Sequence, residues 1–359
     1  MASPLEDPAQ DVLLFRGDAA RTGQMPGTTS ATAPTLRWRF SADGPVRTAP
    51  LVKGGSVFVA SDAGTLFAIG RTTGKAAWQR SLDGRPTSPV LAGDRLIIGV
   101  STGHLTVVDA NTGGSLWQRD MASAIVGAPD VVAEGVVIAA SDGSVTLLDP
   151  ADGRQRWTTT LKGHITRSPA IAAGLVIVPL DPGQVAALDL GNGRMRWLTK
   201  IADAGSVGTP ATDGQVAFAA SGLGAESSQR GVTGLDLATG AVRWRYRSPT
   251  GKTVYTPALA GGHAFVVGED GIAVALEIET GSQLWTHRAD EPIEALPAVA
   301  GDRLVIAGNH GHLRALDIDD GAEVWGVPIE GVPYAPAVAG GLVLVPSDTG
   351  TVSAFGAAE

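Results

Sequence analysis

The chain contains no cysteine, no long apolar run and no excess of basic residues. The lack of cysteine excludes structural disulfides, thiolate metal sites and a lipid-anchored N-terminal cysteine in the chain as printed. Lysine and arginine number 27 against 36 for aspartate and glutamate, and a net charge of −9 would repel a phosphate backbone, so we expect no nucleic-acid partner. No stretch approaches the roughly 20 apolar residues that cross a bilayer, so we expect no membrane insertion by this chain.

A recognisable targeting signal is also lacking at the N-terminus. Residues 1–11 contain neither the basic nor the apolar region of a signal peptide. We therefore expect a soluble protein of unassigned compartment. It would be extracytoplasmic, in a bacterial periplasm or at the cell surface, if a leader has been removed.

Tryptophan is the exception to a general scarcity of aromatic residues, which make up 5% of the chain. The tryptophans follow one another at intervals of 40, 39, 40, 40, 47, 41 and 40 residues, at Trp38, Trp78, Trp117, Trp157, Trp197, Trp244, Trp285 and Trp325. A chain of 359 residues exceeds the usual limit of about 250 to 300 residues for a single core. The periodicity indicates a repeat architecture rather than two domains.

Each repeat contains four segments with the character of β-strands, which we label A to D. Segment A follows a proline, at Pro50, Pro89, Pro129, Pro169, Pro210, Pro257, Pro297 and Pro336. Segments B and C are apolar runs joined by a turn rich in Ser, Asp and Gly, and segment D carries the tryptophan after a Gly-x-x-x-Trp turn. Eight residues before the tryptophan, a carboxylate is placed to accept backbone N–H bonds in that turn, at Asp109, Asp149, Asp189, Asp236, Glu277 and Asp317.

Four strands are the content of one propeller blade. The last repeat ends after its segment C, whereas residues 35–40 ("TLRWRF") form a tryptophan strand with no blade before it. We therefore predict an all-β fold, an eight-bladed β-propeller of four-stranded antiparallel blades in which the N-terminal strand closes the last blade. Residues 1–34 would be a lead-in segment, and residues 35–359 a single propeller domain that we expect to be a monomer.

The turn and tryptophan pattern, complete in "LDLATGAVRW" and nearly so in "LDIDDGAEVW", resembles the tryptophan-docking motif of quinoprotein-type (PQQ-like) β-propellers. The resemblance covers residues 35–355. Related proteins include quinoprotein alcohol dehydrogenases, sensor domains fused to bacterial Ser/Thr kinases, and the non-catalytic BamB-like proteins, which are closest in size to this chain. The resemblance implies that each tryptophan packs between neighbouring blades.

The resemblance also bears on catalysis. Quinoprotein enzymes resemble one another in using an additional tryptophan as a floor under the quinone, in an adjacent-cysteine disulfide and in greater length, and the repeat already occupies all eight tryptophans here. We expect no cofactor and no catalytic residue, and a role as a protein-interaction scaffold or a ligand-binding or sensor domain. The alternative is a pyrroloquinoline-quinone-dependent oxidoreductase or another enzyme of the central pocket, in which acid or base work would fall to Glu294 or Glu291.

The channel mouth, the face of the ring that carries the D–A connections and the B–C turns, is the predicted binding site. Two residues before the repeating proline, small residues are interrupted by Arg167, Tyr255 and Tyr334. Arginine and tyrosine are the residue types enriched where partners dock. Adding nearby charged residues, the predicted partner-binding set is Arg47, Arg85, Arg167, Lys252, Tyr255, Glu294 and Tyr334. The partner would be a protein, a peptide segment or a small ligand, and an ordinary solvated rim is the competing interpretation.

Two further features allow more than one interpretation. The insertion from Ser221 to Gly231 projects on the same face and is either a binding loop or a tolerated surface excursion. His310 and His312 form an H-x-H pair, but His312 occupies an ordinary variable position of the repeat. Because a pair of imidazoles lacks the third protein ligand of a zinc site, we expect no metal.

Overall fold

The computed structural model describes residues 11–224 and 229–357, and their regular structure is β-strand throughout. Two strands come before blade 1 along the chain, β1 (Gln24–Met25) and β2 (Thr35–Ser41). Blade 1 contains β3 (Leu51–Lys53), β4 (Ser56–Ala60), β5 (Thr65–Gly70) and β6 (Ala76–Ser81), and blade 2 contains β7 (Val90–Ala92), β8 (Arg95–Gly99), β9 (His104–Asp109) and β10 (Ser115–Asp120). Blade 3 contains β11 (Asp130–Val132), β12 (Gly135–Ala139), β13 (Ser144–Leu148) and β14 (Gln155–Thr160), and blade 4 contains β15 (Ala170–Ala172), β16 (Leu175–Leu180), β17 (Gln184–Asp189) and β18 (Met195–Lys200). Blade 5 contains β19 (Ser206–Val207), β20 (Ala211–Thr212), β21 (Val216–Leu223), β22 (Gly231–Asp236) and β23 (Val242–Arg247), and blade 6 contains β24 (Ala258–Ala260), β25 (His263–Val267), β26 (Ile272–Glu277) and β27 (Gln283–Arg288). Blade 7 contains β28 (Ala298–Ala300), β29 (Arg303–Gly308), β30 (His312–Asp317) and β31 (Glu323–Pro328), and blade 8 contains β32 (Ala337–Ala339), β33 (Leu342–Pro346) and β34 (Thr351–Gly356). No helix that could span a membrane occurs among these residues.

The sheets form an eight-bladed β-propeller, which confirms the predicted fold. Within each blade the strands are hydrogen-bonded in the order A-B-C-D, and strand A, which begins directly after the repeating proline, lines the channel. Strands B and C are buried almost throughout, as β12 and β33 illustrate, because neighbouring blades cover both of their faces. In blade 5 the insertion lengthens strand B, and β19 pairs with its extended end. Residues 225–228 of the insertion lie outside the described residues.

The ring is closed by the N-terminal strand, as predicted. Strand β2 pairs antiparallel with β34, from Thr35 opposite Gly356 to Ser41 opposite Thr351. Strand β2 is therefore the D strand of blade 8, and the last blade is built from both ends of the chain. This pairing covers a strand edge that would otherwise be free.

Every tryptophan lies at a blade junction, as the resemblance implies. The indole N–H donates to a backbone carbonyl in the C–D turn of the next blade over 2.7 to 3.3 Å at Trp38, Trp78, Trp117, Trp157, Trp197, Trp244 and Trp285. The ring packs on the turn glycine, and a Cβ added at Gly193 would lie only 2.6 Å from the Trp157 ring. Trp325 donates instead to the Ser30 carbonyl over 3.0 Å. The lead-in segment thus supplies the acceptor at the final junction.

The carboxylates before the tryptophans have the predicted role in the turn. Each of the five aspartates accepts at least one backbone N–H bond two or three residues on, at Asp109, Asp149, Asp189, Asp236 and Asp317. Glu277, whose side chain is longer by one methylene, accepts instead from the Thr280 hydroxyl. These bonds hold the turn that presents its glycine to the tryptophan ring.

The lead-in segment runs through the central channel, a feature that the repeat pattern did not indicate. Its backbone carbonyls accept the N–H of the second residue after the repeating proline in six blades, at Val52, Leu91, Ile171, Thr212, Leu259 and Val299. Strand β1 also pairs in parallel with β28. Because the inner edge of strand A has no other neighbour in a propeller, the segment satisfies donors that would otherwise need water.

Candidate functional site at the channel mouth

The mouth contains a cavity of about 570 Å³, which we call the mouth cavity. It is lined from blades 1 to 4 and from the lead-in segment by Phe15, Arg47, Thr48, Asp62, Arg85, Pro86, Thr87, Ser88, Ser101, Ile125, Val126, Ala128, Ser141, His164, Ile165, Thr166, Arg167 and Ser168. Residues of D–A connections and of B–C turns both contribute, as the predicted topology requires. The volume lies within the range of about 300 to 1,000 Å³ that is usual for small-ligand sites.

Two of the predicted arginines are held by one carboxylate in the cavity wall. Asp62 accepts from Arg47 Nη1 over 2.7 Å and from Arg85 Nε over 3.1 Å. Arg47 also donates through Nε to the Tyr334 hydroxyl over 2.6 Å, and its guanidinium lies 5.5 Å from the centre of the Tyr334 ring. The hydrogen bond to Tyr334 raises the pKa of Arg47, so this guanidinium stays charged. Asp62 therefore orients two cations while neutralising only one of them.

Arg167 and Tyr255 belong to the connections that enter blades 4 and 6. Arg167 is exposed, and its Nη1 donates to the carbonyl of the preceding residue over 2.9 Å. Tyr255 is half-buried, and its hydroxyl donates to Glu269 Oε1 over 3.4 Å. Burial raises the pKa of Tyr255, the negative charges of Glu294 and Glu269 raise it further, and the charge of Arg167 opposes them. The ionisation of Tyr255 thus responds to two carboxylates and one guanidinium.

The predicted residues therefore fall into three groups. Arg47, Arg85 and Arg167 line the mouth cavity, and Tyr334 adjoins it through Arg47. Tyr255 and the exposed Glu294 form the rim of blades 6 and 7. Lys252 is exposed in the D–A connection of blade 6 and does not line the cavity.

The lead-in segment provides the floor of the mouth cavity through Phe15. Behind Phe15, the fully buried Arg21 donates to the carbonyls of Phe15, Pro129 and Pro169 over 2.7 to 3.2 Å. Arg21 adopts a φ of 59°, a left-handed conformation that non-glycine residues rarely hold unless the surroundings impose it. Arg21 thereby ties the lead-in segment to blades 3 and 4, directly beneath the cavity.

Arg21 also meets a buried carboxylate. Its Nη2 lies 3.2 Å from Oδ2 of Asp130, and both side chains are inaccessible to solvent. The two groups are in contact but are not aligned for a hydrogen bond, and no described residue donates one to Asp130 Oδ2. Burial therefore outweighs the charge of Arg21 and raises the pKa of Asp130 to about 7.

Glu291, one of the two carboxylates named above for acid or base work, is held in a charge network of blade 7. Glu291 is buried, and its Oε1 accepts from Arg314 over 2.5 Å and lies 3.0 Å from His312 Nδ1. Its Oε2 accepts the backbone N–H of His310 over 2.5 Å. Three polar groups thus fix this carboxylate: the Arg314 Nη1, the His312 imidazole of the H-x-H pair and the His310 backbone N–H. The arrangement is that of a structural ion pair that anchors the B–C turn.

The quinone that the fold family implies does not fit the described residues. All eight tryptophans donate their indole N–H at blade junctions, so none is left to lie under a planar cofactor. The lead-in segment passes along the inner strands of the channel and closes the cavity floor. Within residues 11–224 and 229–357, no three His, Asp or Glu side chains are grouped to hold a metal ion.

Most of the residues that line the cavity were absent from the predicted site, among them Phe15, Asp62 and His164. Asp62 belongs to a Ser-Asp turn, and its place could have been found because B–C turns share the mouth with the D–A connections. His164 precedes the predicted slot in its own connection by three residues. Phe15 lies outside the repeat, and no periodicity points to it.

Solved structures with the same fold include BamB, a designed protein and quinohemoprotein alcohol dehydrogenases. BamB from Moraxella catarrhalis is 22% identical with a TM-score of 0.72, over 90% of this chain and 99% of that chain. A quinohemoprotein alcohol dehydrogenase from Pseudomonas putida HK5 is 13% identical with a TM-score of 0.76, over 99% of this chain and 82% of that chain. The computationally designed Ika8 protein is 17% identical with a TM-score of 0.77, over 88% of this chain and 97% of that chain. At these identities the likeness shows the fold alone.

Comparison of the sequence is more specific for the family than comparison of the fold. None of the curated proteins matches the chain. The sequence profile described as outer membrane protein assembly factor BamB matches residues 28–119, 68–225 and 203–359, which together span the propeller. With the tryptophan-docked blades described above, this match shows that the chain belongs to the BamB-like family of PQQ-type propellers.

Proposed function

We propose that this chain is a non-catalytic interaction propeller that captures a segment of a partner protein at its mouth cavity. Arg47, Arg85 and Arg167 would make the principal contacts. The observation that carries the proposal is the concentration of three guanidinium groups around one cavity on a protein whose net charge is −9. Tyr255, Glu294 and Tyr334 would border the bound segment, with Lys252 at its periphery.

The composition of the cavity supports binding rather than chemistry. Its polar lining consists mainly of arginines and hydroxyl groups around a single carboxylate, Asp62, which is already paired with Arg47 and Arg85. Its apolar lining, which includes Phe15, Ile125 and Ile165, would pack against the non-polar part of a bound group. Pockets of this mixed kind hold ligands by burying apolar surface and orient them through a few polar contacts.

A protein partner is favoured over a small molecule by the family. The family is named for a factor in the assembly of outer membrane proteins, and such a role requires contact with other proteins. Interfaces are enriched in arginine and tyrosine, the residue types that this mouth displays.

The test is partner capture with matched variants. Immobilised wild-type protein, an Arg85→Glu/Arg167→Glu variant and an Arg95→Glu/Arg154→Glu control would be exposed to the same extract, and the bound proteins identified by mass spectrometry. Arg95 and Arg154 are exposed on the turns of the opposite face, so the control has the same net charge as the cavity variant. We expect at least one protein to be retained by the wild type and the control and lost from the cavity variant.

Purified partner should then bind the wild type in isothermal titration calorimetry, with the same order among the variants. A captured set that is identical for all three proteins would contradict the proposal. Retention of a small metabolite instead of a protein, detected by native mass spectrometry, would move the assignment to a ligand-binding or sensor domain.

A further inference from the structure

The mouth has two electrically opposite sides. Blades 1, 2 and 4 contribute Arg47, Arg85 and Arg167, whereas blades 6 and 7 contribute Glu269 and Glu294. We call these groups the cationic side and the acidic side. Neither side is of one sign throughout: Asp62 is shared between Arg47 and Arg85, Asp348 also acts on Arg47, and Lys252 lies in the connection of blade 6.

Tyr255 marks the boundary between the two sides. Its hydroxyl donates to Glu269 Oε1 over 3.4 Å, and its pKa is raised by the charges of Glu269 and Glu294 and lowered by that of Arg167. Tyr255 therefore interacts with charged groups of both sides. At the corresponding positions of the connection that enters blade 5, Val207 and Gly208 are both buried.

The mouth cavity is also closed at its inner end. Phe15 forms the floor, and the lead-in segment behind it is hydrogen-bonded to the inner strands of six blades. A ligand must therefore enter and leave through the mouth. A polypeptide cannot thread the channel, and the part of it that does not enter the cavity has to lie across the rim.

We propose that the mouth recognises a peptide segment of mixed charge, with an acidic residue seated among Arg47, Arg85 and Arg167 and a basic residue lying on the Glu269 and Glu294 side. This inference rests on the proposed function and adds to it the chemistry and the orientation of the bound segment. Arginine binds carboxylates with two parallel N–H bonds, which fixes the seated end. The acidic side favours a cation at the other end and rejects a segment that is acidic throughout.

The experiment measures the binding of three short fluorescein-labelled peptides by fluorescence anisotropy. One peptide carries an Asp-Glu pair at one end and a Lys-Lys pair at the other, one is acidic at both ends, and one is basic at both ends. The variants are Arg167→Glu on the cationic side and Glu294→Lys on the acidic side, both at exposed positions. Lys75→Glu and Glu134→Lys make the same charge changes at exposed turns of the opposite face and serve as controls.

We expect the mixed peptide to bind the wild type most tightly and the basic peptide most weakly. Arg167→Glu should weaken the mixed and the acidic peptide by about tenfold or more, because it replaces an attraction by a repulsion at the seated carboxylate. Glu294→Lys should weaken the mixed peptide by about two- to fivefold, the range of a solvent-exposed pair, and strengthen the acidic peptide by a similar factor. The control variants should bind like the wild type.

The outcomes separate this inference from the proposed function. If the acidic peptide binds as tightly as the mixed one and Glu294→Lys changes neither, the two-sided recognition is wrong, while loss of binding in Arg167→Glu still supports capture at the cavity. If no peptide binds, or if Arg167→Glu binds like Lys75→Glu, both the inference and the proposed function are overturned. Matching thermal unfolding of all variants would show that a change in affinity is not a loss of fold.

Discussion

Replacing Arg21 by methionine would remove the buried charge that fastens the lead-in segment beneath the mouth cavity. The side chain is inaccessible to solvent, it donates to three backbone carbonyls over 2.7 to 3.2 Å, and it lies 3.2 Å from Asp130. Methionine keeps an unbranched apolar stem of similar length but has no donor. The substitution therefore leaves Asp130 buried without its cation.

Breaking a buried ion pair from one side costs about 3–5 kcal/mol, because the remaining charge is uncompensated. Protonation limits this cost. The pKa of Asp130 is about 7 in the folded chain, against 3.8 for the ordinary group. Arg21 lowers that pKa, so the substitution should raise it further.

The sign of the pH dependence follows from these values. The folded state holds a proton on Asp130 that the unfolded state releases above about pH 4, so this group's contribution to stability declines as the pH rises from about 4 to 7. Without Arg21 the decline should continue above pH 7, at up to about 1.4 kcal/mol per pH unit. The loss caused by Arg21→Met should therefore be larger at pH 8 than at pH 5.

Urea unfolding followed by tryptophan fluorescence at pH 5 and pH 8 provides the free energies. The double variant Arg21→Met/Asp130→Leu should recover much of the loss because it removes both charges, and Arg154→Met, an exposed control, should change stability by less than about 0.5 kcal/mol. Equal losses at pH 5 and pH 8, together with additive effects of the single substitutions, would refute the coupling between Arg21 and Asp130.

The remaining predictions concern the ring. Trp157→Phe keeps an aromatic ring at the junction but removes the N–H bond of 2.8 Å to the Leu190 carbonyl, and it should lower the free energy of unfolding by about 1–3 kcal/mol in urea titrations. A loss as small as that of a surface substitution would contradict the docking role. Deleting residues 30–41 removes β2 and the Ser30 acceptor of Trp325, so the melting temperature of the whole domain should fall in calorimetry. An unchanged melting temperature would contradict ring closure by this strand.

The fold could be predicted because every repeat makes the same local demands. Gly193 must approach the Trp157 ring closely, and Asp189 must accept the N–H groups of its turn, so both residue types recur at fixed spacing. Period and turn chemistry therefore specify the blade, and the unpaired tryptophan strand at residues 35–40 specifies the closure. Neither inference needs any knowledge of contacts between distant residues.

The lead-in segment could not be predicted for the opposite reason. Its contacts are made by backbone carbonyls to the inner strands, and an N–H group of strand A can donate to the backbone carbonyl of almost any residue. The two features that depend on side chains, Phe15 in the cavity floor and Arg21 beside Asp130, occur once and have no counterpart in the repeats. Arg167 was predicted because it breaks the repeat, and Arg47 and Arg85 were predicted as charged residues near that position, whereas Asp62 conforms to the Ser-Asp-Gly turns of the repeat.

The lead-in segment makes binding and stability depend on the same residues. It offers Ser30 to the last tryptophan, continues into the closing strand β2, and presents Phe15 to the mouth cavity. A partner seated on Phe15 binds the closed ring and not the unfolded chain, so it should stabilise the ring by RT ln(1 + [L]/Kd), about 2.7 kcal/mol at a hundredfold excess over Kd. In a ring that unfolds as one cooperative unit, the stabilisation should also extend to the pairing of β2 with β34, which lies outside the mouth.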